Sequence, residues 1–142
     1  SIRRQRQMCI RDSFNLGVLG ARLTHDFSTR IAELGISHKQ VGILALIDAD
    51  TTRSQRQLAD QLRVAPSLIV TLLDQLTAIG AITRQRSDTD RRVHVITLTE
   101  TGKDLLNQAE AIAYDLDHDF RSSLPTKAQK ALDMFLAEIQ PL

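Results

Sequence analysis

The sequence predicts a mainly α-helical chain that carries one small β-hairpin. Three observations carry that prediction. Apolar residues recur every three or four positions through the first and last parts of the chain, the period of an amphipathic helix. Near the middle, two short helical patterns are joined by a tight turn just before Pro66. After Gly80 the period becomes strand-like, and Ser87-Asp88-Thr89-Asp90 supplies turn chemistry between two β-branched runs. At 142 residues the chain is one domain's worth, able to bury a core without disulfide or metal staples.

Leu16, Leu19, Leu23, Phe27, Ile31 and Leu34 form one stripe of a first helix, and Gly35 supplies its stop. Ser37 can cap a second helix, His38 to about Asp48, whose Val41, Leu44, Ala45 and Ile47 predict burial on most sides. Asp48 to Thr52 is polar and reads as a turn. Ser54 can cap a short helix through Leu62, with Leu58, Ala59 and Leu62 inward. Arg63 to Ala65 makes the next turn, and Pro66 takes the first helical position, where its missing N–H is harmless. The helix that follows runs to about Ile79, with Ile69, Leu72, Leu73 and Leu76 on its buried face and Gly80 closing it. Two helices joined in this way are a helix-turn-helix unit. Ile82 to Arg86 and Arg92 to Leu98 then pair as a hairpin, or wing. Thr99 caps a long helix striped with Leu105, Ala109, Ile112, Leu116 and Phe120. Leu124-Pro125-Thr126 interrupts it, and a last helix presents Ala131, Leu132, Phe135, Leu136 and Ile139. The expected architecture is a winged helix-turn-helix core (37–98) flanked by helices at 14–34 and 99–142.

Arg3 to Ser13 stands apart. It reads RRQRQMCIRDS and resembles, residue for residue, the in-frame translation of a transposon-end sequencing adapter. We therefore read residues 1–13 as non-native, with native residues upstream lost, and leave them out of the fold reasoning. The competing reading is a natural basic arm that contacts phosphates. With the segment set aside, Cys9 is no sign of a redox sensor, and Phe14 to Leu142 contains no cysteine for thiolate chemistry.

Charge is distributed unevenly along the rest. Thr51 to His94 carries seven arginines against four aspartates, whereas Val95 to Leu142 carries four basic residues against eight acidic ones. Phe14 to Asp50 nets −1. Positive charge on the helix-turn-helix and hairpin, with acidic flanks, is the footprint of a lobe that approaches phosphates. No apolar run nears the roughly 20 residues that span a bilayer, and no signal-peptide pattern is visible, so the expected location is cytoplasmic.

Several segments together resemble the winged-helix core of MarR-type regulators. They are Gln57-Leu58-Ala59, Val64-Ala65-Pro66-Ser67, Leu72-Leu73-Asp74-Gln75-Leu76 and Gly80-Ala81-Ile82. Asp88-Thr89-Asp90-Arg91-Arg92 followed by Leu98-Thr99-Glu100-Thr101-Gly102 is similar to that family's wing and the start of its long dimerisation helix. The resemblance implies a bacterial homodimer that binds a palindromic operator in double-stranded DNA, as a repressor released by a small lipophilic or anionic effector. It also implies that Arg92 enters the minor groove, oriented by Asp90, while Arg84, Arg86 and Arg91 meet phosphates. In the helix after Pro66, relatives commonly place arginine where this chain has Thr71 and Gln75. Ser67, Leu68, Thr71 and Gln75 remain as base-edge readers, so affinity is expected to lean on the wing and on Arg53, Ser54 and Arg56. Arg22, His25, Asp26 and His38 are the candidate effector lining.

Other functions find less support. No catalytic residues are expected, because there is no phosphate-cradling glycine loop, and His25 and Asp26, as helix neighbours, point about 100° apart. No cofactor and no metal are expected either. His25, His38, His94 and His118 are scattered rather than paired at ligand spacing, although a zinc-responsive regulator stays open as an alternative. So does a winged helix that binds protein instead of DNA.

Overall fold

The computed structural model describes residues 2–90 and 94–139. Along the chain lie α1 (Ile2–Ile31), a 3-10 turn (Ala32–Leu34), α2 (His38–Ala49), α3 (Gln55–Leu62) and α4 (Pro66–Ala78). The hairpin β1 (Ile82–Arg86) and β2 (His94–Leu98) follows, then α5 (Glu100–Ser122) and α6 (Thr126–Glu138). The expected elements are all present, in the expected order.

Two boundaries differ from expectation. α1 runs through Arg3 to Ser13, because Arg, Gln, Met and Ile are adequate helix formers and no proline or glycine intervenes before Gly17. Its last turn tightens to 3-10 geometry, and Gly35, at φ 73°, ends it in the left-handed conformation that glycine adopts freely. Helix α2 also packs differently in detail. Ile43, Leu44, Leu46 and Ile47 are buried, while Ala45 is exposed and Val41 half-buried.

Local chemistry fixes the helix starts. Ser37 and Ser54 each form a capping box, their hydroxyls accepting the N–H of Gln40 and Gln57. Those glutamines in turn accept the serine N–H at 2.9 and 2.8 Å. Between α3 and α4 the chain reverses at Arg63, which takes a left-handed φ of 52°. Pro66 stands at the first turn of α4.

One core joins these elements. Leu58 and Ala59 of α3, Ile69, Leu72, Leu73 and Leu76 of α4, Ile82 and Ile96 of the hairpin and Leu106 of α5 close around α2. Fully burying each such Leu or Ile side chain contributes about 1.5–3 kcal/mol. The strands pair antiparallel from Ile82 opposite Leu98 to Arg86 opposite His94.

The core's tightest point lies where α4, the hairpin and α5 meet. Ala81 N–H donates to the Leu76 carbonyl at 2.9 Å, and Thr99 N–H donates to the Ala81 carbonyl at 3.0 Å. The Thr99 hydroxyl donates to the Gly80 carbonyl and also accepts the Gly102 N–H at 3.1 Å, capping α5. A Cβ added at Gly102 would lie 2.0 Å from the Ala81 carbonyl oxygen, so only glycine fits there. Beyond this point α5 leaves the core and packs its Leu116 and Phe120 beside Leu23 and Phe27 of α1. Arg30 pairs with Asp119 at 2.9 Å across the same two helices. Helix α6 has no buried residue, and Met134, Phe135, Leu136 and Ile139 are exposed.

Substituting Gly102→Ala is expected to destabilise the chain by about 1–3 kcal/mol, the usual cost of overpacking. Urea denaturation monitored by circular dichroism measures this. An unchanged midpoint would show that the Gly102 contact is not restrictive.

Candidate nucleic-acid interface

Helix α4 buries Ile69, Leu72, Leu73 and Leu76, which leaves its opposite side to solvent. Ser67, Thr71 and Gln75 follow one another at four-residue spacing and are all exposed, so they form a single polar line along that side. Thr71 donates its hydroxyl to the Ser67 carbonyl at 3.2 Å. Leu68 is half-buried against the core, so only its outer edge is open to solvent.

Gln75 is not independent. Its Oε1 accepts a hydrogen bond of 2.9 Å from Nε2 of Gln40, a side chain only 5% exposed. Gln40 is the capping-box residue of α2, so the start of α2 is tied directly to the polar face of α4. The sequence shows half of this, since Ser37-x-x-Gln40 is a capping signature, but not the second bond.

The arginines divide into paired and unpaired groups. Strand pleating places Arg84 on the same face as the buried Ile82, turning its guanidinium back toward α4. There it pairs with Asp74, an ion pair that competes with any phosphate contact of Arg84. Arg53 is likewise drawn inward, donating to the Leu46 carbonyl near the end of α2. Ser54 is occupied at both ends by its capping box. Thr52 donates its hydroxyl (2.6 Å) and its N–H (2.9 Å) to Asp50. Those bonds, with Arg53 adding a smaller effect, hold the Asp50 carboxyl below the ordinary aspartate range.

Arg56 on α3 and Arg86 at the end of β1 are exposed, and among the described residues neither makes an ion pair. Pro66 is exposed at the start of α4, and Asp90 at the hairpin tip. Arg91 and Arg92 lie outside the described residues.

Of the candidate effector residues, Arg22, His25 and Asp26 come together. With Val18 and Ala21 they line an open groove of about 460 Å³ on α1. His38 does not line that groove; its Nδ1 lies 3.1 Å from the Ser28 hydroxyl, joining α2 to α1. Among the described residues no three His, Cys, Asp or Glu side chains gather as metal ligands. No helix among them is long and apolar enough to cross a membrane.

A helix-turn-helix followed by an antiparallel hairpin, with its polar helix face beside that hairpin, defines a winged helix-turn-helix protein. Residues 36–94 match the MarR family. The HTH-type transcriptional repressor Rv2887 of Mycobacterium tuberculosis is 27% identical over 136 residues, spanning 93% of this chain and 98% of the relative. A crystal structure of Rv2887 with p-aminosalicylic acid has a TM-score of 0.77 and 25% identity, covering 89% of this chain and 95% of that one. The transcriptional repressor CouR, bound to a 23-mer DNA duplex, has a TM-score of 0.78 and 29% identity, covering 89% of each chain. Over residues 36–94 the chain is thus similar to the MarR family, and the relatives it matches are named as transcriptional repressors or regulators.

The Arg84–Asp74 pair is partly exposed, so removing it is expected to cost less than about 1 kcal/mol of stability. Asp74→Asn is expected to release Arg84 toward phosphate, tightening duplex binding and steepening its salt slope by about one. Fluorescence anisotropy across a salt series measures both; an unchanged slope would show that Arg84 stays away from the backbone.

Proposed function

We propose that this chain is a DNA-binding transcriptional repressor that acts as a homodimer on a palindromic operator and is released by a small effector. The observation that carries the DNA reading is the polar line Ser67, Thr71 and Gln75, exposed beside a hairpin bearing Arg86; Arg91 and Arg92 follow Asp90 in the sequence. A helix of this kind suits the major groove and an arginine-bearing tip the minor groove. The duplex held by CouR supports the same reading. Residues 37–98 form the DNA-binding lobe, with Arg56, Arg86 and Arg91 as phosphate contacts and Arg92, set by Asp90, in the minor groove.

The dimer reading rests on uncovered apolar surface. Phe14 and Leu16 on α1 and Met134, Phe135 and Leu136 on α6 are exposed, with Phe14 at 68% and Met134 at 72%. A second copy that brings the same helices would cover them and set two copies of α4 about one DNA turn, roughly 34 Å, apart. In this reading 14–34 and 99–142 are the dimerisation helices, and 1–13 is non-native. Such a regulator works in the cytoplasm.

For the effector, we infer an aromatic carboxylate held in the groove of Arg22, His25 and Asp26. The groove's size is within the roughly 300–1,000 Å³ range of small-molecule sites, and Arg22 offers a guanidinium to a carboxylate. Rv2887 has been crystallised with salicylic acid and with p-aminosalicylic acid.

The test is anisotropy with a duplex selected from a random library. Affinity is expected to fall steeply with salt, and salicylate to release the DNA. Arg22→Ala is expected to weaken that release at least fivefold while leaving duplex affinity within about twofold. Arg92→Ala is expected to lose more affinity than Thr71→Ala. No retention of duplex DNA even at low salt would favour a protein-binding winged helix and defeat the proposal.

A further inference from the structure

The buried amide of Gln40 settles which atoms of Gln75 face outward. Ser37 N–H is a donor and nothing else, so the Gln40 atom that meets it at 2.9 Å is its oxygen. The other end of the Gln40 amide is therefore the NH₂ group, which donates to Gln75 at 2.9 Å. A donor can meet only the oxygen of Gln75. Its own NH₂ is left pointing away, and among the described residues that nitrogen has no acceptor. The fixed donor character of the Ser37 N–H is thus relayed through two side-chain amides to the exposed face of α4.

We propose that Gln40 is a specificity-determining residue: without touching DNA, it fixes Gln75 as a hydrogen-bond donor to the major groove. This deepens the DNA-binding reading above and rests on it. Glutamine usually recognises adenine with both ends of its amide, giving to N7 and taking from N6. Here the oxygen is engaged by Gln40, and the outward group is NH₂ alone. It matches an acceptor edge. Guanine, with N7 and O6 side by side, is the best match, and cytosine, which presents only its N4 donor, is the worst. Helix α4, which carries no Lys or Arg, thus reads guanine through the amide of Gln75. In this arrangement Gln40 is a positioning residue and Gln75 makes the contact.

A single isosteric change reverses the arrangement. In Gln40→Glu a carboxylate accepts from Ser37 N–H with one oxygen and from the Gln75 NH₂ with the other. That turns the Gln75 oxygen outward. The carboxylate completes a Ser-x-x-Glu capping box at the start of α2, a place where negative charge is favourable. Gln75→Glu reaches the same outward oxygen by a different route and leaves the donor of Gln40 paired.

The experiment is selection of bound duplexes from a random library with the full chain and with each variant, at one salt concentration. Thermal melts confirm that all three proteins are folded. At one symmetric pair of half-site positions the unmodified chain is expected to select guanine over cytosine by about fivefold or more. Both Gln40→Glu and Gln75→Glu are expected to reverse that preference at the same positions and leave the others unchanged. Folded variants that select the parent's bases at every position would overturn the proposal while the DNA-binding reading stands. If Gln75→Glu alone reverses the preference and folded Gln40→Glu does not, the assignment to Gln40 fails. An unmodified chain that enriches no sequence and shows no salt-dependent duplex binding would overturn the regulator reading and this proposal with it.

Discussion

Helix α4, both hairpin strands and helix α5 are held together at the backbone of Gly80 and Ala81. Gly80 turns the chain with a φ of 76°, and Ala81 is fully buried directly after it. The Ala81 N–H closes α4 on Leu76, while its carbonyl receives Thr99 as the chain returns from β2. Gly102 then lets the first turn of α5 rest against that same carbonyl. Each group is a backbone donor or acceptor that would be costly to bury unpaired. The position of the wing relative to the polar helix face is therefore set within a few residues, and the Arg84–Asp74 pair ties the two again further out.

The same economy governs the polar side chains. Of the arginines concentrated in Thr51 to His94, Arg53 and Arg84 hold the lobe's own elements together, whereas Arg56 and Arg86 remain outward. Net charge by segment thus overstates the number of arginines whose guanidinium has no partner within the lobe. Gln75 shows the converse. It is exposed, yet a buried neighbour decides which of its atoms the solvent side meets. In a recognition helix without Lys or Arg, such orientation matters more, because a neutral amide recognises either donor or acceptor edges according to how it is turned.

Much of the fold was legible in the sequence. Periodicity located every helix, Gly80 and Thr99 marked the junction, and the switch to period two located the hairpin. The misses have specific causes. Arg3 to Ser13 has no apolar stripe, and helical backbone continues through it because nothing there breaks it. Ala45 is apolar like its neighbours, yet it falls on the one strip of α2 that the surrounding elements leave open. Counting alternate residues from Ile82 puts Arg84 on the inner face of the hairpin, which its charge alone does not indicate. The Gln40–Gln75 bond spans 35 positions and leaves no local signal in the sequence. The place of His38 beside Ser28 depends on how α2 meets α1, which no local pattern encodes.

In the proposed complex two copies of the polar face of α4, each flanked by a wing, meet one duplex. Hydroxyl-radical and methylation footprinting of a selected duplex tests that geometry most directly. Two protected major-groove patches are expected on one face of the DNA, about 10 bp apart centre to centre, with protected minor groove outside each. A single unpaired patch, or protection without groove preference, would contradict it.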